Sequence, residues 1–178
     1  KKVINFNKFG TYAVLEFIRK TKAKLIYAGS STKYVDNLEN YNLSPYAWSK
    51  SSNTELVKNY GSWFDINYAI TYFYNVYGPR EISIGKYATL IGLFKTKMRN
   101  KESLTIVSPG QQLRNFTHVK DTVDALVLVG DKGSGDEYGI GYPVSYSVLE
   151  VAEMFGGKTL MLPPRKGNRM NAKVVSDK

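Results

Sequence analysis

Hydrophobic positions along the chain switch between a helical period and short, continuously apolar runs. From Phe9 to Thr21, Val14, Leu15, Phe17 and Ile18 fall on one side of a helix, with Asn7 just ahead as an N-cap. Lys24 to Gly29 (KLIYAG) is short, apolar and β-prone, and Gly29-Ser30-Ser31-Thr32 offers small residues for a strand-to-loop exit. A second helix is predicted from Tyr46 to about Tyr60, stopped by Gly61, and a second strand from Asp65 to Tyr74. Further on, the pattern predicts helices at Ile84 to Met98, Asp121 to Val129 and Ser147 to Phe155, and short strands at Leu104 to Val107 and Asn115 to Val119. Helices alternating with strands in this way predict an α/β layered fold with a largely parallel sheet.

Composition narrows the chemistry. At 178 residues with 43% hydrophobic positions, the chain can bury a substantial core. No run approaches the roughly 18 apolar residues of a membrane span, and the opening KKVINFNKFG lacks a signal peptide's apolar stretch, so a cytosolic location and no membrane partner are expected. With no cysteine there are no disulfides or thiolate chemistry, and one histidine is too few for a histidine metal cage. The net charge of +10 could favour nucleic acid or a phosphorylated small molecule. The lysines are spread rather than clustered, which reads as a solvated basic surface and sets nucleic acid aside.

Tyr46 and Lys50 stand four apart at the start of a predicted helix, so their side chains share a face. A tyrosine with an ordinary pKa near 10 is a poor base at neutral pH, and a nearby ammonium favours its phenolate form. A Tyr-x-x-x-Lys spacing is also an ordinary helix-face pair, so the segments around it carry the weight.

The helix NKFGTYAVLEFIRKTKAK, the strand LIYAGSSTKY, the helix SPYAWSKSSNTELVKNY and the later segments YFYNVYGPR, LRNFTHVKDTVDAL, YGIGYPVSYSVLEVAEMFGG and PRKGN occur in one order. In that order they resemble the extended short-chain dehydrogenase/reductases of the NAD-dependent sugar-nucleotide epimerase/dehydratase kind. The resemblance implies a partial Rossmann-like, doubly wound parallel sheet with a small mixed α/β substrate-binding lobe. Residues 1–75 would be the later part of the Rossmann-like domain and 76–178 mostly the lobe, with about 115–131 returning to the Rossmann-like layer.

By the same resemblance, Ser30 would hydrogen-bond the reacting sugar oxygen, Tyr46 would be the acid/base, and Lys50 would hold the nicotinamide ribose and lower the tyrosine pKa. Asn75, Arg114 and Arg165 match positions that contact the nucleotide diphosphate, a task suited to arginine's planar fork, although Asn168 replaces the family's aspartate. Arg80 reads as structural, and His118 is given no role. Family dehydratases follow their catalytic hydroxyl with Asp-Glu, and here Ser31 and Thr32 occupy those places. Epimerisation of a nucleotide-diphosphate sugar through a 4-keto intermediate, with NAD or alternatively NADP, is therefore expected ahead of dehydration or reduction.

Neither G-x-G-x-x-G nor G-x-x-x-x-G-K-[ST] occurs where a strand gives way to a helix. Against the family pattern the sequence is expected to be truncated at both ends, either as a partial view of a complete enzyme or as an inactive remnant that binds nucleotide or dimerises. A homodimer is expected through the helices at 9–21 and 46–60.

Overall fold

A computed structural model describes residues 2–31 and 44–164. The chain divides into two compact units. Of the described residues, one contains those through Phe73 together with Val123–Ile140, and the other contains Tyr74–Thr122 and residues 141–164. Among the described residues no helix is long and apolar enough to cross a membrane.

The first unit is built on a parallel three-stranded sheet in the order β1 (Leu25–Ala28), β2 (Tyr68–Phe73), β7 (Gly135–Ile140). The central strand β2 has Ala69, Ile70, Thr71 and Tyr72 fully buried, as expected of a strand covered on both faces. Two helical segments from the early part of the chain belong to this unit. Short α1 (Lys2–Ile4), a π-helical turn at Asn5–Phe9 and α2 (Gly10–Thr21) form one run, and α3 (Pro45–Phe64) is the longest helix. Leu15 and Ile18 of α2 and Val57 and Tyr60 of α3 contribute to the buried core with Leu25, Ile70 and Val129.

Several boundaries differ from the periodicity. Asn7 does not cap a helix but lies within the π-helical turn, where its Nδ2 donates to Ser49 Oγ at 2.9 Å and its carbonyl accepts from Asn53 Nδ2 at 2.7 Å. Docking onto α3 outweighs its capping propensity. Nor does Gly61 stop α3, which runs on to Phe64 and is capped by Asp65 in the left-handed region at φ 51°. A Cβ at Gly61 would lie 2.3 Å from Cε1 of Tyr68, so the glycine admits a ring rather than ending a helix. The true start of α3 follows helix chemistry closely, since Ser44 Oγ accepts from the Ala47 amide at 3.1 Å and Pro45 takes the first turn.

The periodicity does not reveal strand β7, because a bulge breaks its alternation. Ala69 pairs with Gly135 but Thr71 pairs with Tyr138, so β7 carries one extra residue, and Glu137 adopts φ 83° there. The segment Val123–Ile140, which includes β7, packs with the first unit.

The second unit comprises β3 (Val76–Tyr77), α4 (Leu90–Arg99), β4 (Leu104–Val107), β5 (Leu113–Asn115), β6 (Thr117–His118), β8 (Ser145–Ser147), α6 (Val148–Phe155) and β9 (Thr159–Leu162). Helix α5 (Val119–Lys132) begins in it and continues into the first unit. Pairs β3–β6 and β4–β9 are parallel, whereas β5–β8 is antiparallel with Arg114 opposite Tyr146. Phe94, Leu104, Ile106, Val148, Val151 and Ala152 form the core, with Phe155 edge-on to Phe94 at 5.6 Å. A capping box between Ser147 and Glu150 starts α6, and Gly156 at φ 70° ends it.

Truncating Phe94 to alanine should destabilise the second unit by about 3–5 kcal/mol, whereas Met154→Ala, on the exposed face of α6, should stay within about 0.5 kcal/mol. Urea unfolding midpoints of the two variants measure the contrast.

Candidate functional site

In the first unit, Lys50 lies one turn beyond Tyr46 on α3, and its ammonium donates to the carbonyl of Ala28, the last residue of β1. The same ammonium stands 4.6 Å from the ring centroid of Tyr27, over its face. Burial pulls the Lys50 pKa below its ordinary value and pushes the Tyr27 phenol up. Tyr27 is thus an uncharged partner beneath the cation, a role that its place in an apolar run does not reveal. Tyr46 is half exposed, at 51%.

Ser30 follows Ala28 by two residues, which keeps it within about 7 Å of the carbonyl that Lys50 binds. The backbone between them is held closely. The Gly29 amide donates to Thr71 O at 2.7 Å, extending the parallel ladder by one residue. A Cβ on Gly29 would lie 2.5 Å from Cε1 of Tyr72, so only glycine passes here. The Tyr72 ring is itself fixed, with its hydroxyl donating to Asp136 Oδ1 at 2.7 Å while Asp136 Oδ2 pairs with Lys58 Nζ at 2.9 Å. Asp136 occupies the β7 bulge, which turns its carboxylate toward both partners.

Helix α3 is anchored from its other side. Ser49 and Asn53 are fully buried, and Asn53 Nδ2 donates to Asn7 O and Thr11 Oγ1 at 2.7 and 3.0 Å. Ser49 Oγ donates to Tyr46 O at 2.8 Å, tying that network to the backbone of the tyrosine. These polar anchors give no periodic signal, since polar residues at core positions look like breaks in a pattern.

In the second unit, Asn75 and Arg114 line one cavity of about 280 Å³ with Gln112, Thr105 and the apolar side chains of Leu90, Leu93 and Phe116. Asn75 takes φ 40°, a conformation asparagine tolerates, and its Nδ2 donates to Asn115 O at 2.9 Å. Arg114 Nη1 donates to Leu113 O at 2.7 Å. Gln112 was not singled out from the sequence. His118 packs edge-on to Tyr77 at 5.4 Å and accepts the Lys120 amide at Nδ1. Arg165 and Thr32 lie outside the described residues.

Residues 1–141 match the profile of the NAD dependent epimerase/dehydratase family. The chain belongs to this family. A Methanocaldococcus jannaschii protein provisionally named UDP-glucose 4-epimerase is 32% identical over 178 residues, covering 92% of this chain and 58% of the relative. UDP-glucuronic acid decarboxylase 3 of Arabidopsis thaliana is 29% identical over 166 residues, covering 85% of this chain and 48% of its own length. Among solved structures, the UDP-glucose 4-epimerase of Thermotoga maritima with UDP-glucose superimposes with a TM-score of 0.90 at 24% identity, covering 98% of this chain and 62% of that one. The dTDP-glucose 4,6-dehydratase of Streptomyces venezuelae with NAD gives 0.85 at 22%, covering 97% and 58%. The epimerase/dehydratase fold is therefore shared, and the chain spans about half to three-fifths of the length of these relatives.

Lys50 sets a pH signature. Between its lowered folded-state pKa and the ordinary 10.5, the unfolded chain keeps the proton that the folded chain has lost, so stability rises with pH across that window and is flat on either side. Lys50→Met should remove this rise, as read from the difference between wild-type and variant denaturation midpoints through the alkaline range.

Proposed function

We propose that the protein takes part in NAD-dependent epimerisation of a nucleotide-diphosphate sugar, a UDP-hexose in the first instance, through a transient 4-keto sugar in the cytosol. The observation that carries this reading is the Lys50–Ala28 contact, which holds a Tyr-x-x-x-Lys pair at the carboxyl end of a parallel strand. In open α/β sheets ligands bind outside the carboxyl ends of the strands.

Tyr46 takes the proton from the sugar hydroxyl and later returns it, which needs an exposed phenol next to a cation. Ser30 hydrogen-bonds the same oxygen and keeps it aligned. An ammonium has three N–H donors, and with Ala28 taking one, Lys50 can also hold a ribose hydroxyl of the cofactor. The residues at the end of β1 fit the nicotinamide side of NAD, or of NADP as the alternative. The glycine-rich turn that would cradle its pyrophosphate does not occur in this sequence. Bound NAD supplies hydride removal from the sugar carbon and hydride return. Arg114 grips the diphosphate bidentately and Asn75 supports it from the same cavity, with Arg165 as a third contact.

Ser31 favours epimerisation over dehydration, because eliminating water needs an acid and a base beside the sugar and no carboxylate stands at that position or at Thr32. A dehydratase would instead release a 4-keto-6-deoxy product, a reductase would consume reduced cofactor, and an inactive remnant would turn nothing over. The exposed Phe9, Phe17, Trp48 and Trp63 support pairing of two chains through α2 and α3.

With NAD supplied, UDP-glucose and UDP-galactose should interconvert, and Tyr46→Phe should lower turnover by at least about a hundredfold while the affinity for UDP stays within about twofold. Undiminished turnover in the variant would remove Tyr46 from the chemistry. Light scattering should show twice the chain mass, and a single-chain mass would rule out the pairing.

A further inference from the structure

Gln112 lies immediately before β5 and is only 4% exposed, yet it lines the cavity shared by Asn75 and Arg114. The orientation of its amide is fixed. Nε2 donates to Val107 O at 3.0 Å, and the opposite orientation would set two carbonyl oxygens against each other. Oε1 is consequently turned away from Val107, and it is buried with no hydrogen-bond partner among the described residues. Oε1 is itself sealed from solvent while the residue lines the cavity, so a small turn of the side chain toward a ligand donor would relieve an unpaired buried acceptor and gain more than the same hydrogen bond in water.

We propose that Gln112 is a specificity-determining residue whose Oε1 accepts a hydrogen bond from a neutral donor of the nucleoside, either a ribose hydroxyl or the imide N–H of the base. This rests on the reading that the cavity takes a nucleotide diphosphate. The diphosphate itself presents only acceptors at neutral pH, so it belongs with Arg114 and not with Gln112. Along an extended chain, residues two apart point the same way and are separated by roughly 6.6 Å, which places the Gln112 acceptor one step beyond the diphosphate. Around that step the walls are apolar, formed by Leu90, Leu93 and Phe116, and they suit the weakly polar nucleoside better than a second phosphate. A base that turned an acceptor toward Oε1 would set lone pair against lone pair and be rejected.

Calorimetric titration of the purified protein with UDP, 3-methyl-UDP and 2′,3′-dideoxy-UDP tests this directly, since the two analogues delete the imide donor and the ribose donors in turn. Wild type should bind one of the analogues at least about tenfold more weakly than UDP, and the identity of that analogue names the donor. Gln112→Met, matched in size but lacking the acceptor, should bind UDP about tenfold more weakly and show no preference between UDP and that analogue. Equal binding of all three ligands by wild type overturns the proposal without any variant. A uniform weakening of all three in Gln112→Met, with the wild-type preference intact, also overturns it and leaves Gln112 only its tie to Val107. Arg114→Ala separates the two levels. UDP binding that depends on Arg114 but not on Gln112 sinks this inference alone, whereas UDP binding that is absent or indifferent to Arg114 sinks the nucleotide reading and the role of Gln112 with it.

Discussion

The contact between the Lys50 ammonium and the Ala28 carbonyl is the constraint around which the first unit is arranged. Half-burying an ammonium is unfavourable, and here the return comes from one carbonyl at a strand end and one aromatic face. A packed aliphatic side chain would serve stability as well or better. A costly cation kept at the carboxyl end of a parallel strand is consistent with the proposed reaction site, and the epimerase/dehydratase membership supplies the chemistry it would serve there.

Holding that contact requires both partners to be rigid, and the structure provides for each separately. On the strand side, Tyr72 fills the space beside Gly29 and is locked by Asp136, which the β7 bulge aims and Lys58 neutralises. On the helix side, Ser49 and Asn53 bind back to Asn7 and Thr11, so α3 cannot roll without breaking buried hydrogen bonds. Neither group touches a reacting atom in the proposed chemistry. Both keep the Lys50 side chain and its carbonyl partner in one geometry.

Much of this was legible in the residues. The alternation of helices and strands locates β1, β2, β4, α3 and α6 to within a few positions, and the ordered segments around Tyr46 and Lys50 point to the family. The misreadings have physical causes. Asn7 and Gly61 were judged by local propensity, and tertiary contacts with Ser49 and Tyr68 decided otherwise. Strand β7 escaped because its bulge erases the period of two, and the two-residue and three-residue strands of the second unit are too short to carry a period at all. Tyr27 and Gln112 were invisible as site residues for a different reason: one looks like core and the other like a loop, and only the fold shows what faces them.

A structure of the protein crystallised with NAD and UDP-galactose would decide whether Tyr46 and Lys50 meet the reacting sugar. The Tyr46 hydroxyl should lie within about 3 Å of the 4-oxygen of the hexose, with the Lys50 ammonium still on Ala28 and within hydrogen-bond reach of a ribose hydroxyl. A hexose bound away from the end of β1, with Tyr46 facing solvent and Lys50 contacting only protein, would contradict it.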